Sequence, residues 1–216
     1  MPNLSGDLAQ IPGTVLIGRM VSPYVRRTAV LLDLLGIPFV QLPVAAIAQQ
    51  DELRAINPIG RVPALRLDGH MLFDSLAIAL TLTDMHDPEG RLLPRDGRER
   101  AEALQFIALV NGATERAVAS YYERARRPEE KVWPEWVALC EAQASSAVDA
   151  LEAAVAARGS SFTPTYPMIA LVTSLTFLES AVPGVFGASR HPALGALHAA
   201  GEASDALSHR KQDMQA

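Results

Sequence analysis

Three short segments early in the chain combine residue types that chemistry uses. They are Ser22-Pro23-Tyr24-Val25, Asn57-Pro58-Ile59-Gly60-Arg61-Val62-Pro63-Ala64-Leu65, and Asp74-Ser75. Each begins an element. Ser22 follows a short apolar run and offers an N-cap, with Pro23 at the first helical position, where a missing N–H costs nothing. Val62-Pro63 opens a strand, where proline is tolerated. Asp74-Ser75 is an acid–hydroxyl pair at the start of an apolar helix.

A helix start carries unpaired N–H groups and the positive end of the helix dipole, so it stabilises an anion. A thiolate is such an anion, and its pKa falls at helix N-termini. The Ser22 hydroxyl can donate a hydrogen bond to a bound sulfur. Read alone, Ser22 is an ordinary cap. A cis bond at Val62-Pro63 would turn the Val62 backbone N–H and C=O outward, to pair with an extended peptide as an added strand does. Read alone, the segment is a plain strand entry. Ser75 and the first N–H groups of its helix suit a carboxylate, and Asp74 suits an ammonium. An amino-acid head group carries both charges. Together the segments describe a pocket for a small, anionic, thiol-bearing peptide.

These side chains need a scaffold. Residues 14–17 read as a buried strand closed by Gly18. A helix follows from Pro23, with Val25, Ala29, Leu32 and Leu35 on one face and Gly36 at its end. Residues 38–44 read as a strand and residues 49–56 as a short polar helix. Residues 64–67 and 71–73 are strands joined at Asp68-Gly69-His70, a hairpin signal. Residues 75–86 form an apolar helix. The order β-α-β-α-β-β-α predicts a right-handed parallel βαβ unit, a closing antiparallel hairpin and a mixed four-stranded sheet with helices on both faces. Residues 1–13 read as a polar lead-in and residues 209–216 as a frayed end.

Residues 87–97 hold two prolines and two glycines and form the linker. Beyond it no strand pattern occurs. Residues 98–126, 134–158, 165–181 and 191–207 read as helices, so residues 98–216 make an all-helical bundle. Cys140, the only cysteine, lies in an apolar helical stretch and reads as a small core or interface residue. Trp133 and Trp136 read as packing between helices.

Composition narrows the partners. The chain has 216 residues, 49% of them hydrophobic, with a net charge of −5. That charge argues against nucleic acid or an anionic membrane surface as a partner. No apolar run is long enough to span a bilayer, and no signal peptide is evident. A lone cysteine permits no internal disulfide, which fits a cytoplasmic location. The five histidines show no metal-ligand spacing, so no metal is expected. Arg26-Arg27 and Arg124-Ala125-Arg126-Arg127 are the basic clusters, and the second reads as cations at a helix C-terminus.

With these motifs in place, residues 14–86 resemble a thioredoxin-like domain, and residues 14–207 resemble a bacterial cytosolic glutathione transferase. Ser22-Pro23-Tyr24-Val25 sits where glutaredoxins carry Cys-Pro-Tyr-Cys. The second segment matches the family's Asn-Pro-x-Gly-Lys/Arg-Val-Pro-x-Leu, and Asp74-Ser75-Leu76-Ala77-Ile78 matches its Glu/Asp-Ser-x-Ala-Ile. The resemblance implies a serine-type transferase in which Ser22 activates glutathione. It implies that Val62, ahead of a cis Pro63, pairs with the cysteinyl backbone and that Asp74 and Ser75 hold the γ-glutamyl end. Arg61 would assist near the glycyl end, and Tyr24 would line the site. It implies a homodimer and a small electrophilic apolar substrate. A glutathione-dependent isomerase, dehalogenase or peroxidase, and a non-catalytic binding protein, are alternatives on the same fold. Serine at position 22 argues against a mixed disulfide with the protein. One departure lies in the second half. The family's Ser/Thr-x-x-Asp capping box becomes Thr165-Tyr166-Pro167-Met168, in which Thr165 can cap but Met168 cannot reciprocate.

Overall fold

The computed structural model describes residues 4–210. The chain divides into two compact units, one running to Arg95 and resuming at Asp205, the other spanning Asp96–Ser204.

The first unit is built on strands β1 (Thr14–Ile17), β2 (Phe39–Leu42), β3 (Ala64–Leu67) and β4 (His70–Phe73), in sheet order β2-β1-β3-β4. β1 pairs parallel with β2 and antiparallel with β3, and β3 pairs antiparallel with β4. This is the expected mixed sheet. Val15, Leu16 and Ile17 are fully buried, which explains their continuous apolar run in a central strand. The hairpin turns on two residues, Asp68 and Gly69, both at positive φ, so His70 belongs to β4 and pairs with Leu67.

Helices α2 (Pro23–Leu34), α3 (Gln50–Arg54) and α4 (Ser75–His86) complete the expected order. α2 begins and α4 begins and ends where capping rules place them. One element was not anticipated. The lead-in forms a helix, α1 (Leu4–Gln10), whose Leu4 and Leu8 join a core with Val15, Ile17, Val44 and Leu53. Arg66 on β3 holds its C-terminal end, donating from Nη1 to the Leu8 carbonyl at 2.6 Å, from Nη2 to the Gly13 carbonyl at 3.0 Å, and to the Ile11 carbonyl. A guanidinium thus takes up one carbonyl of the last turn of the helix and two just beyond it.

The second unit contains α5 (Gly97–Arg126), α6 (Pro134–Arg158), α7 (Tyr166–Ala181) and α8 (Pro192–Ala203), all helical as expected. α7 is apolar nearly all round and buried along most of its length, the pattern of a central helix. Thr165 makes no side-chain cap bond to it, contrary to expectation, so neither half of the capping box forms and packing holds the helix start. At α8 a carboxylate from another helix does the capping: Glu152 accepts from the Ala193 N–H at 2.9 Å and the Leu194 N–H at 2.8 Å. Arg124 and Arg126 occupy the last turn of α5, as expected of cations there, and Arg124 also pairs with Glu141 of α6. Cys140 is fully buried in the core.

The helix anticipated over residues 191–207 breaks at Ser204, whose extended backbone ends α8; a short helix α9 (Asp205–Ser208) then joins the first unit. Arg26, only 3% exposed, donates to the carbonyls of Leu207 at 3.1 Å and Arg210 at 3.2 Å. Arg210 grips Asp33 through two bonds of 2.7 Å. Hydrogen bonding to Asp33 raises the Arg210 pKa against a smaller effect of burial. The end expected to fray is therefore pinned to α2 through Arg210; residues 211–216 lie outside the described residues.

Candidate functional site

The site begins where β1 stops. Gly18 has φ +132, and a Cβ there would lie 2.5 Å from Val25 Cγ2 and 2.9 Å from Val62 Cβ. Only a residue without a side chain lets the start of α2 and the loop before β3 approach this closely. The Gly18 N–H donates to the Leu42 carbonyl at 2.9 Å, and its carbonyl accepts from Gln41 Nε2 at 2.8 Å, so β2 fixes it.

Ser22 caps α2 in extended geometry, φ −73 and ψ 122. Its Oγ accepts from the Val25 N–H at 3.4 Å, longer than an ordinary N–H···O bond. Its carbonyl accepts from Arg26 N at 2.9 Å. The hydroxyl thus acts as a weakly engaged acceptor at a helix start, half-buried, with the dipole behind it. Tyr24 follows in the first turn, half-buried.

The second segment is a turn built on Asn57, which is 1% exposed. Asn57 Nδ2 donates to the Arg61 carbonyl at 2.8 Å, and Oδ1 accepts from the Ile59 N–H at 3.0 Å. Gly60, at φ +67, packs on Gln50, which donates to the Gly60 carbonyl at 2.9 Å. The Arg61 side chain is exposed. The Val62–Pro63 bond is cis, Pro63 is buried, and Val62 lies outside the β3 ladder, which starts at Ala64. Among the described residues the Val62 N–H and C=O have no hydrogen-bond partner.

The third segment caps α4. Asp74 adopts φ 69, a region L-residues rarely enter, and its Oδ1 accepts from the N–H groups of Leu76 at 2.9 Å and Ala77 at 3.0 Å. Ser75 is 3% exposed, and its Oγ accepts from Arg27 Nη2 at 2.5 Å. Arg27 is 1% exposed, and its guanidinium sits 4.7 Å from the centre of the Tyr24 ring.

The structure therefore brings Val25, in the first turn of α2, and Val62 together across Gly18 and ties Tyr24 and Ser75 together through Arg27. Asp74 stands at the head of α4, and Arg61 projects from the loop. Arg27 escaped sequence reasoning. The available signal was its position in a helix whose neighbours Val25, Ala29 and Val30 are all apolar, which leaves a paired guanidinium as the way to bury it. Among the described residues no cluster of His, Cys, Asp and Glu is placed to hold a metal ion. Chemically, the arrangement offers a helix start with a hydroxyl, two free main-chain groups in line with a strand, and a second helix start with a carboxylate. It suits an extended peptide carrying a thiol and a zwitterionic end.

Comparison with known proteins bears on this geometry. Residues 16–90 match the family described as glutathione S-transferase, N-terminal domain. A glutathione transferase family member from Pseudomonas fluorescens Pf-5, crystallised with bound glutathione, is 30% identical with a TM-score of 0.83, covering 94% of this chain and 100% of that one. Over 67 residues the chain is 40% identical to the probable maleylacetoacetate isomerase 1 of Drosophila melanogaster, covering 31% of this chain and 27% of the relative. Over 113 residues it is 34% identical to glutathione S-transferase Z1 of Arabidopsis thaliana, covering 49% and 50% respectively. The match to each of these curated relatives spans half their length or less. No helix among the described residues is long and apolar enough to cross a membrane.

Proposed function

We propose, since the chain belongs to the glutathione transferase family, that residues 14–86 bind glutathione and that Ser22 holds its sulfur as a thiolate for attack on a small electrophilic apolar substrate. The observation that carries this reading is the convergence at Gly18, where Val25 of the Ser22 turn and Val62 both crowd the space a Cβ would take.

Glutathione, when bound, supplies the nucleophilic sulfur. The chain supplies everything that orients and charges it. Ser22 Oγ donates a hydrogen bond to the sulfur anion, and the first turn of α2 adds its dipole. A free thiol titrates near 8.5, and lowering that by about two units takes roughly 2.7 kcal/mol of preference for the anion. A charge-assisted hydrogen bond of about 1.5–3 kcal/mol with a dipole of about 0.3–1 kcal/mol covers it. Val62 pairs its N–H and C=O with the cysteinyl backbone. Asp74 takes the γ-glutamyl ammonium, and the start of α4 at Ser75 takes its carboxylate. Arg27 holds Ser75 in place, Tyr24 lines the site, and Arg61 stands near the glycyl carboxylate. The protein acts as a positioning and electrostatic catalyst, with no covalent bond to the substrate. The family fold also supports a homodimer, and the lone buried Cys140 suits a reducing cytoplasm.

A second reading is glutathione-dependent isomerisation, which the 40% identity to a probable maleylacetoacetate isomerase favours. Assays of an aryl halide and of a cis-unsaturated dicarboxylic acid, with glutathione present, separate the two. In either reaction Ser22→Ala keeps glutathione affinity within a few-fold and lowers neutral-pH turnover about tenfold or more. Unchanged turnover rejects the role of Ser22. Retention on immobilised glutathione with neither activity points to a binding protein.

A further inference from the structure

The helix α1 has no part in the chemistry above, and the family match begins beyond it, at residue 16. Its apolar side chains nevertheless pack behind Val62. Leu4 and Leu8 share a core cluster with Leu53 of α3, and Val62 packs its side chain against the same cluster. α1 lies against α3. Arg66 on β3 fixes the segment where α1 ends, through the carbonyls of Leu8, Ile11 and Gly13.

We propose, on the reading that Val62 pairs with the cysteinyl backbone of glutathione, that α1 is a clamp that positions residues 57–62 and so sets glutathione affinity. α3 cannot hold that loop unaided. It has five residues, too few for a helix to persist by itself, and its N-cap Gln49 gives it no side-chain bond. Leu53 is its one buried residue, so packing at Leu53 keeps it in place. Two arms run from α3 to the loop. Gln50 Nε2 donates to the Gly60 carbonyl at 2.9 Å. The Leu53 carbonyl accepts from the Asn57 N–H at 2.8 Å, and Asn57 Nδ2 donates to the Arg61 carbonyl at 2.8 Å. Both arms end beside Val62, so a shift of α3 is passed to the Val62 main chain. Ser22 stands apart from these contacts, because the cluster includes no described residue of α2. α1 therefore acts on how tightly the peptide is held and leaves the charging of its sulfur alone. The coupling is reciprocal: the factor that docked α1 adds to glutathione affinity is the factor that glutathione adds to α1 docking.

The full chain is compared with Leu8→Ala, Leu8→Met and Arg66→Met. Gly36→Ala is the control, since it bears a backbone cost at φ +66 with nothing within 4 Å of its Cβ. Calorimetry reads glutathione affinity, ultraviolet absorbance reads the pKa of the bound thiol at saturation, and hydrogen exchange reads the amides. A chain in which α1 is docked about a tenth of the time binds about tenfold more weakly. We expect that loss in Leu8→Ala and Arg66→Met, with the bound-thiol pKa unchanged, and wild-type affinity in Leu8→Met and Gly36→Ala. Without ligand, the Ile59 and Gly60 amides should exchange about tenfold faster in the two weakened variants. Saturating glutathione should slow exchange in α1 of the wild type by a similar factor. Should Leu8→Ala fail to fold, Arg66→Met decides, because it leaves the apolar cluster intact. The proposal is overturned if the folded variants bind like the wild type, if Gly36→Ala weakens binding as much, if the bound-thiol pKa rises as affinity falls, or if exchange at Ile59 and Gly60 stays the same. A wild-type chain that binds no glutathione overturns the reading of Val62 itself, and is told apart by the unliganded exchange, which reports on the clamp alone.

Discussion

Replacing Gly18 with alanine tests how the site is assembled. Two separate costs attach to the new methyl group. The backbone sits at φ +132, where a side chain costs about 1–2 kcal/mol. The Cβ would also lie 2.5 Å from Val25 Cγ2 and 2.9 Å from Val62 Cβ, both closer than carbon atoms approach, and relieving such overpacking costs about 1–3 kcal/mol. The sum is about 2–5 kcal/mol, a fall in Tm of roughly 4–20 °C for a chain of this size. Gly69→Ala is the matched control. Its φ is +79, but nothing lies within 4 Å of its Cβ, so it bears the backbone cost alone. Scanning calorimetry of the two variants separates the terms, and Gly18→Ala should melt lower by several degrees. The methyl also forces the Ser22 turn and Val62 apart, so glutathione affinity should fall at least tenfold in Gly18→Ala and stay unchanged in Gly69→Ala. Equal melting temperatures, or undiminished affinity in a folded Gly18→Ala protein, would refute the reasoning.

Arg27→Met keeps the aliphatic stem and removes both the 2.5 Å bond to Ser75 and the contact with the Tyr24 ring. Relief from burying a guanidinium offsets the lost bond, so stability should change by less than about 1 kcal/mol while glutathione binding, by calorimetry, weakens about tenfold. Glu141→Gln addresses pH. Its hydrogen bond from Arg124, aided by one from Ser120 and by the Arg124 charge, holds the Glu141 carboxyl below the ordinary carboxylate range against the opposing effect of burial. The folded state then binds protons less readily than the unfolded state, so the contribution is present above the unfolded carboxylate pKa and disappears as pH falls through the depressed folded value. Chemical denaturation should show the variant less stable by about 1 kcal/mol at neutral pH, a figure kept small because Arg124 is half-exposed, and the gap should close below the carboxylate range.

What the sequence revealed tracks how local the causes are. Ser22, Pro23, Asp74 and the Asp68-Gly69 turn announce themselves because caps and tight turns depend on neighbours within a few residues. The alternating β-α order follows from short apolar runs and their punctuation. The features that escaped depend on distant partners. α1 is short, and what holds it is remote: Leu4 and Leu8 pack with Val44 and Leu53, and Arg66, more than fifty residues on, takes the Leu8 carbonyl. Arg26 and Arg27 stand side by side in the sequence as a basic cluster, yet each is buried by a different remote contact, at Leu207 and at Ser75. The break at Ser204 sends the chain back to Arg26 and Asp33, and no pattern in residues 191–207 encodes that return. The tryptophans misled for a related reason: aromatic residues at helical spacing usually mark packing, whereas Trp133 is 59% exposed and stacks on Trp136 of the same helix start.

The central claim is that the chain ionises a thiol beside the Ser22 hydroxyl at the first turn of α2. The direct measurement is a pH titration of the ultraviolet absorbance of the glutathione thiolate bound to the wild-type chain and to Ser22→Ala. A bound-thiol pKa about two units below that of free glutathione is expected in the wild type, returning most of the way in the variant. A bound thiol that titrates like the free peptide, or a depressed value that survives Ser22→Ala unchanged, would contradict it.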